Sequence, residues 1–334
     1  MIAVTGASGF LGNAVARALI ARRNRVRCIQ RSDVPELREL GAEVVRCDLA
    51  DADAVVRALQ GCDAVVHCAA KAGVWGTRRE YWVANVIATR NVLQACKTLG
   101  ISRLVYTSTP SVVHAGGDVE GLAESAPMSK HFEAPYPATK AIAEREVLAA
   151  NDTALATVAL RPHLIWGPRD PQLTARVIER GRTGKLRLVG GGTKLIDSIY
   201  IDNAVHAHLL ALDQLRPGAL CAGKVYFVTQ GAPMPQKDLI NGILAAADLP
   251  PCRKTVPPWL AYLLGAAAEL VWWVLRRQQE PPLTRFVAKQ LATAHWYDIS
   301  AIRRDLGYEA QVSVEQGLNR LRASLAPQHD AAAD

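Results

Sequence analysis

The strongest constraint on this fold is an alternation running through the first half of the chain. Short apolar runs at residues 2–5, 26–29, 44–47, 64–68 and 104–108 alternate with stretches at 9–22, 35–40, 52–59 and 81–99. In those stretches apolar residues recur every three or four positions, which is helical spacing. Strand–helix–strand units of this kind build a parallel sheet with helices on both faces. The expected fold class is therefore α/β, a Rossmann-type doubly wound parallel sheet. A further strand at 157–161 follows a helix at 136–150, and 225–228 reads as a strand returning to the same sheet.

After Pro162 the pattern loosens. Gly167-Pro168, Gly190-Gly191-Gly192, Pro250-Pro251, Pro257-Pro258 and Pro281-Pro282 punctuate it. The expected division is a dinucleotide-binding domain at 1–162 with a returning segment near 199–230. A smaller substrate lobe takes 163–198 and 231–326, and 327–334 forms a flexible tail. A chain of 334 residues, half of them apolar, has ample material for this core.

The first turn carries a cofactor signal. Gly6-Ala7-Ser8-Gly9-Phe10-Leu11-Gly12 sits between the first strand and the first helix. Glycine allows a sharp turn and lets phosphate oxygens reach backbone amides. The helix N-terminus then offers N–H groups and a positive dipole end to a pyrophosphate. The spacing is G-x-x-G-x-x-G rather than the commoner G-x-G-x-x-G, so its position between strand and helix carries the argument. NAD-specific sites place a carboxylate about 20 residues further on. Here the second strand ends Cys28-Ile29-Gln30-Arg31-Ser32, with no carboxylate before Asp33. Arg31 suits a 2′-phosphate through its planar fork, so NADP(H) is expected over NAD(H).

Tyr136 and Lys140 stand four apart and share one helix face. A free phenol, with a pKa of about 10, exchanges protons poorly at neutral pH. A neighbouring ammonium is expected to lower that value and make Tyr136 an acid–base group. The Tyr106-Thr107-Ser108-Thr109-Pro110-Ser111 stretch offers hydroxyls to hold a carbonyl oxygen. Together the glycine turn and this pair describe transfer of a hydride and a proton to or from a carbonyl.

The seven cysteines form no C-x-x-C and are expected as buried free thiols, with no metal site. No basic segment followed by an apolar one opens the chain, so a cytoplasmic location is expected. The net charge of +8 suits anionic ligands: cofactor phosphates, an acidic substrate or an anionic membrane face. No zinc-finger spacing or basic heptad points to nucleic acid. Residues 259–275 are apolar except for Glu269 and are short for a bilayer span, which needs about 20. A lid or core helix lining an apolar pocket is the first reading. Trp272 and Trp273 beside Arg276 and Arg277 keep a peripheral membrane contact through 259–277 as the second.

Taken as a set, these stretches resemble the extended short-chain dehydrogenase/reductases along essentially the whole chain. They are Thr5 to Gly12, Asp48-Leu49, His67-Cys68-Ala69-Ala70, Asn85 to Val92, Tyr106 to Thr109, Tyr136 to Lys140, Arg161-Pro162 and Ile201-Asp202-Asn203-Ala204. The Lys71 to Gly76 loop, Tyr81 to Asn85 and the late helix with paired tryptophans are most similar to the 3β-hydroxysteroid dehydrogenase-like group. The resemblance implies Tyr136 as acid–base, with Lys140 on the nicotinamide ribose. It implies Thr109 as the catalytic hydroxyl, with Ser108 its nearest rival. Gly6, Ser8, Gly9, Phe10, Leu11 and Gly12 would hold the pyrophosphate. Asp48 and Leu49 would flank the adenine, and Ala69 would join the cofactor site. Pro162 and His163 would lie near the nicotinamide, and Asn85 would serve the proton relay or its structural support. His163 and Trp166 depart from the residues often found after that Arg-Pro.

The implied activity is NADPH-dependent reduction of the ketone of a 2-alkyl-3-oxo fatty acid, as in long-chain olefin synthesis. A 3β-hydroxysteroid dehydrogenase/isomerase is the alternative. A nucleotide-sugar epimerase or dehydratase ranks lower, as does a non-catalytic NADP(H)-sensing regulator. Lys71, Arg78 and Arg79 are candidates for a substrate carboxylate, and equally for a solvated loop. A homodimer is the expected assembly, and a multienzyme assembly is the wider one.

Overall fold

The computed structural model describes residues 1–114 and 116–326; the tail expected at 327–334 lies outside them. Seven strands form one wholly parallel sheet. They are β1 (Ile2–Thr5), β2 (Val26–Gln30), β3 (Glu43–Arg46), β4 (Ala64–His67), β5 (Arg103–Thr107), β6 (Ala156–Pro162) and β7 (Val225–Val228). Their order is β7-β6-β5-β4-β1-β2-β3, so the direction of winding reverses beside β1. Ligands of such sheets bind at that reversal, outside the carboxyl ends of the strands.

The apolar runs are explained by burial on both faces. Val4, Val66, Val105, Val158 and Leu160 join one core with Val15 and Leu19 of helix α1 (Phe10–Ala21). Ala3, Val65, Leu104, Tyr106 and Ala159 join the other. There they meet Val55 of α2 (Ala52–Leu59), Val92 of α3 (Ala88–Leu99) and Val147 of α4 (Pro135–Ala149). Each valine or leucine among them contributes about 1.5–3 kcal/mol when fully buried. Helix α5 (Ile201–Gln214) lays Ala204 and Leu212 on the first face beside α1.

The helix expected across 81–99 is not uniform. Arg78–Tyr81 is α-helical, Trp82–Ile87 widens into a π-helical segment, and α3 follows. The buried Asn85 side chain accepts from the amide of Lys71 at 2.7 Å and donates to the Lys71 carbonyl at 3.2 Å. The widened turn thus coincides with an anchor for the 71–76 loop, and such bulges recur at functional sites.

A second, four-stranded sheet orders Met234–Pro235, Leu195–Ile196, His295–Tyr297 and Val119–Leu122. The last of these leaves the 1–162 segment to pair with the chain's late portion. Helix α6 (Pro258–Val274) packs on α7 (Arg285–Ala292) at Gly265, where a Cβ would lie 2.7 Å from the carbonyl carbon of Thr284. Of the first reading, a lid or core helix lining an apolar pocket, the core position is corrected. Only Ala261 and Gly265 of α6 are buried, because its contacts lie along one narrow face.

Candidate active site

The glycine turn is built for close backbone approach. Gly6 has φ +70°, and a Cβ there would lie 2.7 Å from the Cα of Ala69. A Cβ at Gly12 would lie 2.3 Å from the Gly6 carbonyl oxygen, so only glycine lets α1 start against the turn. Gly9 caps α1 without a side-chain hydrogen bond. The first amides of α1 therefore have no capping side chain to accept from them, the condition under which a helix start receives an anion. A cavity of about 390 Å³ opens here, lined by Ser8, Gly9, Phe10, Asn13, Arg17 and Arg169 among others. A hollow of about 430 Å³ at the sheet edge, beside Arg27 and Arg57, is lined by none of the expected site residues.

Below the turn lies a fixed polar chain. The Thr89 hydroxyl donates to the Asn85 carbonyl at 2.7 Å, so His67 Nε2–H donates to Thr89 at 3.0 Å. His67 Nδ1 then accepts from the Thr5 hydroxyl at 2.6 Å, and Thr5 accepts from the amide of Ala69 at 3.2 Å. Burial pushes the His67 pKa down to about 3, so the ring is neutral and this polarity is stable. The chain ties the ends of β1 and β4 to the π-helical segment. His67 opens the His67-Cys68-Ala69-Ala70 stretch, but only the partners around it give it this role.

At the end of β2, Arg31 is exposed and Arg46 Nε donates to its carbonyl at 3.3 Å. Asp33, the first carboxylate beyond the strand, is engaged by Arg38 at 2.8 Å. Gln30 is buried, and neither end of its amide has a partner. An orphaned buried amide beside the glycine turn fits a ribose edge that would satisfy it. Sequence reasoning missed Gln30 because it searched that position for a carboxylate. Leu49 is buried, its carbonyl accepting from Asn91 at 2.9 Å, while Asp48 Oδ1 accepts from the Ala50 amide.

Tyr136 and Lys140 face inward from the first turns of α4. Lys140 Nζ donates to the Thr107 carbonyl at 2.6 Å and lies 4.1 Å above the Tyr106 ring. Burial pushes its pKa down to about 7, opposed by the negative charge of Glu144. Tyr136 differs from expectation: its pKa is raised, not lowered. Burial of the phenol dominates, and hydrogen bonding by Thr109 only partly offsets it. The Lys140 ammonium is directed at the strand carbonyl instead.

The two rival hydroxyls separate cleanly. Ser108 donates to Glu144, which is buried and paired with Arg161 through bonds of 2.9 and 2.5 Å. Thr109 caps the short turn after β5 by accepting from the Ser111 amide at 3.2 Å, and it is the hydroxyl beside Tyr136. Asn85 Nδ2 also donates to Thr139 at 3.0 Å, joining the 71–76 loop to α4. Pro162 ends β6. The His163 ring turns toward the small sheet, donating from Nδ1 to the Asp197 carbonyl at 2.8 Å and meeting Tyr297 edge-on at 5.2 Å. Lys71 pairs with Glu80 at 2.7 Å, while Arg78 and Arg79 are exposed.

The family model described as the 3-beta hydroxysteroid dehydrogenase/isomerase family matches residues 3–256. The chain is 55% identical over 327 residues to a 2-alkyl-3-oxoalkanoate reductase of Stenotrophomonas maltophilia, covering 97% of this chain and 99% of that protein. It is 50% identical to a 2-alkyl-3-oxoalkanoate reductase of Shewanella oneidensis, covering 96% and 85%. Among solved structures, MoeE5 in complex with UDP-glucose and NAD matches with TM-score 0.75 at 25% identity, covering 97% of each chain.

Proposed function

The chain belongs to the 3-beta hydroxysteroid dehydrogenase/isomerase family of extended short-chain dehydrogenases, and on that premise we propose that it is an NADPH-dependent reductase of 2-alkyl-3-oxoalkanoates. The substrate class rests on likeness to two reductases of that name, at 55% and 50% identity over nearly all of this chain. The chemistry rests on one arrangement: the half-buried Tyr136 phenol has the Thr109 hydroxyl beside it and Lys140 one helical turn on, with Nζ on the Thr107 carbonyl.

A bound nicotinamide supplies the hydride that reaches the ketone carbon. Thr109 donates to the ketone oxygen and fixes its direction. Tyr136 gives its phenolic proton to that oxygen as negative charge builds there, completing the 3-hydroxy acid. The raised phenol pKa keeps this proton in place at neutral pH, the state a reduction requires. Lys140, one helical turn from Tyr136 with its Nζ held on the Thr107 carbonyl, would bind the nicotinamide ribose, and burial brings its pKa down to about 7. Holding the acid and the oxygen-binding hydroxyl in place removes the entropy of bringing them together.

The preference for NADPH rests on Arg31, on the neutral amide of Gln30, and on the engagement of Asp33 elsewhere. A carboxylate at this strand end would repel a 2′-phosphate; an amide and a guanidinium do not. Oxidation of a 3β-hydroxysteroid is the second reading, favoured by the description of the matching family. The deciding experiment follows NADPH and NADH absorbance with a 2-alkyl-3-oxoalkanoate, alongside a 3-oxosteroid. Turnover of the keto acid with NADPH is expected. Turnover of the steroid alone would overturn the substrate, and equal use of NADH would overturn the cofactor preference.

A further inference from the structure

Helix α6 presents an apolar face to solvent along its whole length. Trp259, Leu263, Leu264, Leu270, Val271, Trp273 and Val274 are all exposed, with Trp259 at 65% and Trp273 at 72%. The spacing of 259, 263, 270 and 274 puts these side chains on one stripe. Seventeen residues at about 1.5 Å each make the stripe roughly 25 Å long. No described helix is long and apolar enough to cross a membrane. Contiguous apolar surface beyond a few hundred Å² on a folded protein marks an interaction site.

The charges around the stripe name the partner. At its start stand Arg253 and Lys254. Arg187 lies beside them, because Leu188–Val189 pairs in parallel with Thr255–Val256. At its end stand Arg276 and Arg277, with the Arg277 guanidinium 5.0 Å from the Trp272 ring centroid. All five cations are exposed, and none forms an ion pair among the described residues. The one carboxylate on the helix, Glu269, is turned inward to Arg285 at 2.7 Å. Two copies pairing through this face would set cations against cations whether the helices ran parallel or antiparallel. An anionic lipid surface instead complements both ends and takes up the tryptophans at the depth they favour.

The helix also adjoins the candidate site. The Trp75 indole donates to the Arg277 carbonyl at 3.0 Å, and Glu280 pairs with Arg176. Lys289 of α7 pairs with Glu133, three residues before Tyr136. We propose that α6 lies flat in the headgroup layer of an anionic membrane, with its stripe inward and its two basic ends on lipid phosphates. The 71–76 loop and the Tyr136 site then sit at the lipid boundary, where a substrate with long alkyl chains is dissolved. The docking itself does not depend on which ketone is reduced.

Flotation of the full chain with NADPH tests this, using phosphatidylcholine vesicles with and without 30% phosphatidylglycerol, a composition chosen to span about the range of natural surface charge. Binding to the anionic vesicles is expected, at least about fivefold weaker on phosphatidylcholine alone and in high salt. Leu263→Glu with Leu270→Glu and Val274→Glu should abolish flotation. Arg276→Glu with Arg277→Glu should weaken it by about fivefold or more. Unchanged circular dichroism and NADPH fluorescence show that each variant is folded. A wild-type protein that stays at the bottom of the gradient with both vesicles overturns the proposal. Equal binding to neutral vesicles overturns the anionic partner. A dimer in sedimentation that the stripe variant dissociates, with no flotation, assigns the face to a second copy of the chain. None of these readouts involves turnover, so failure here is distinguishable from failure of the proposed activity.

Discussion

Ser108 donates its hydroxyl to the buried carboxylate of Glu144, and this bond leaves the adjacent Thr109 as the hydroxyl beside Tyr136. The two residues follow one another on the exit from β5, and their environments are opposite. Glu144 also accepts a bidentate bond from Arg161, whose Nε shares Oε2 with Ser108, so Ser108 belongs to a buried charged network. Thr109→Ala should therefore lower kcat by about tenfold to a thousandfold, the range for losing a donor at a developing oxyanion. Ser108→Ala should leave turnover nearly intact and lower stability by about 1–3 kcal/mol, because the Glu144 carboxylate loses a buried partner. Steady-state kinetics and urea unfolding on both variants separate these outcomes; the reverse pattern would make Ser108 the catalytic hydroxyl.

Lys140 sets a pH limit. Its pKa is held near 7 by burial, so the ammonium is present below that pH and lost above it. In the reductive direction kcat/KM should fall as pH rises through about 7, approaching tenfold per unit. Lys140→Met should be slow throughout and lack this limb. Tyr136→Phe should lose about a hundredfold to ten-thousandfold in turnover. NADPH binding measured by fluorescence should survive that substitution. A wild-type profile that stays flat between pH 6 and 9 would count against the assignment of Lys140.

Cofactor preference is expected to follow Arg31. Charge-assisted hydrogen bonds are worth about 1.5–3 kcal/mol, roughly a 10- to 150-fold change in affinity. Arg31→Ala should weaken NADPH binding by that factor and leave NADH binding almost unchanged. Gln30→Glu should further favour NADH, by placing a carboxylate at a ribose edge. Calorimetric titration of each variant with both cofactors gives the answer without turnover. Equal losses for both cofactors would show that Arg31 holds no 2′-phosphate.

Buried histidines predict acid sensitivity. His67, His163, His208 and His295 all have pKa values pushed well below 6.5 by burial. The unfolded chain takes up protons below about pH 6.5 that the folded chain refuses. Stability is therefore full above that pH and declines as pH falls toward the folded values, by up to about 1.4 kcal/mol per unit for each histidine. Urea midpoints at pH 7.5 and 5.5 should show the drop, and substituting His67 by Gln should reduce its slope. A midpoint independent of pH would mean that these rings are protonated in the folded state.

The sequence by itself determined the sheet, the glycine turn and the Tyr136–Lys140 pair. These depend on local rules: periodicity, backbone freedom at Gly6 and Gly12, and a four-residue helical repeat. Each leaves its mark within a few positions of the chain. Only the tertiary structure decided which of Ser108 and Thr109 meets Tyr136, since Glu144 and Arg161 lie 36 and 53 residues beyond Ser108. It alone turned the expected shift of the Tyr136 pKa around, because burial depends on what packs over the phenol. Residues 259–275 read as helix from sequence. Whether their apolar side chains faced a core or solvent rested on where Gly265 meets Thr284. Hydrophobicity fixes that a side chain seeks cover; only packing fixes which side of the helix receives it.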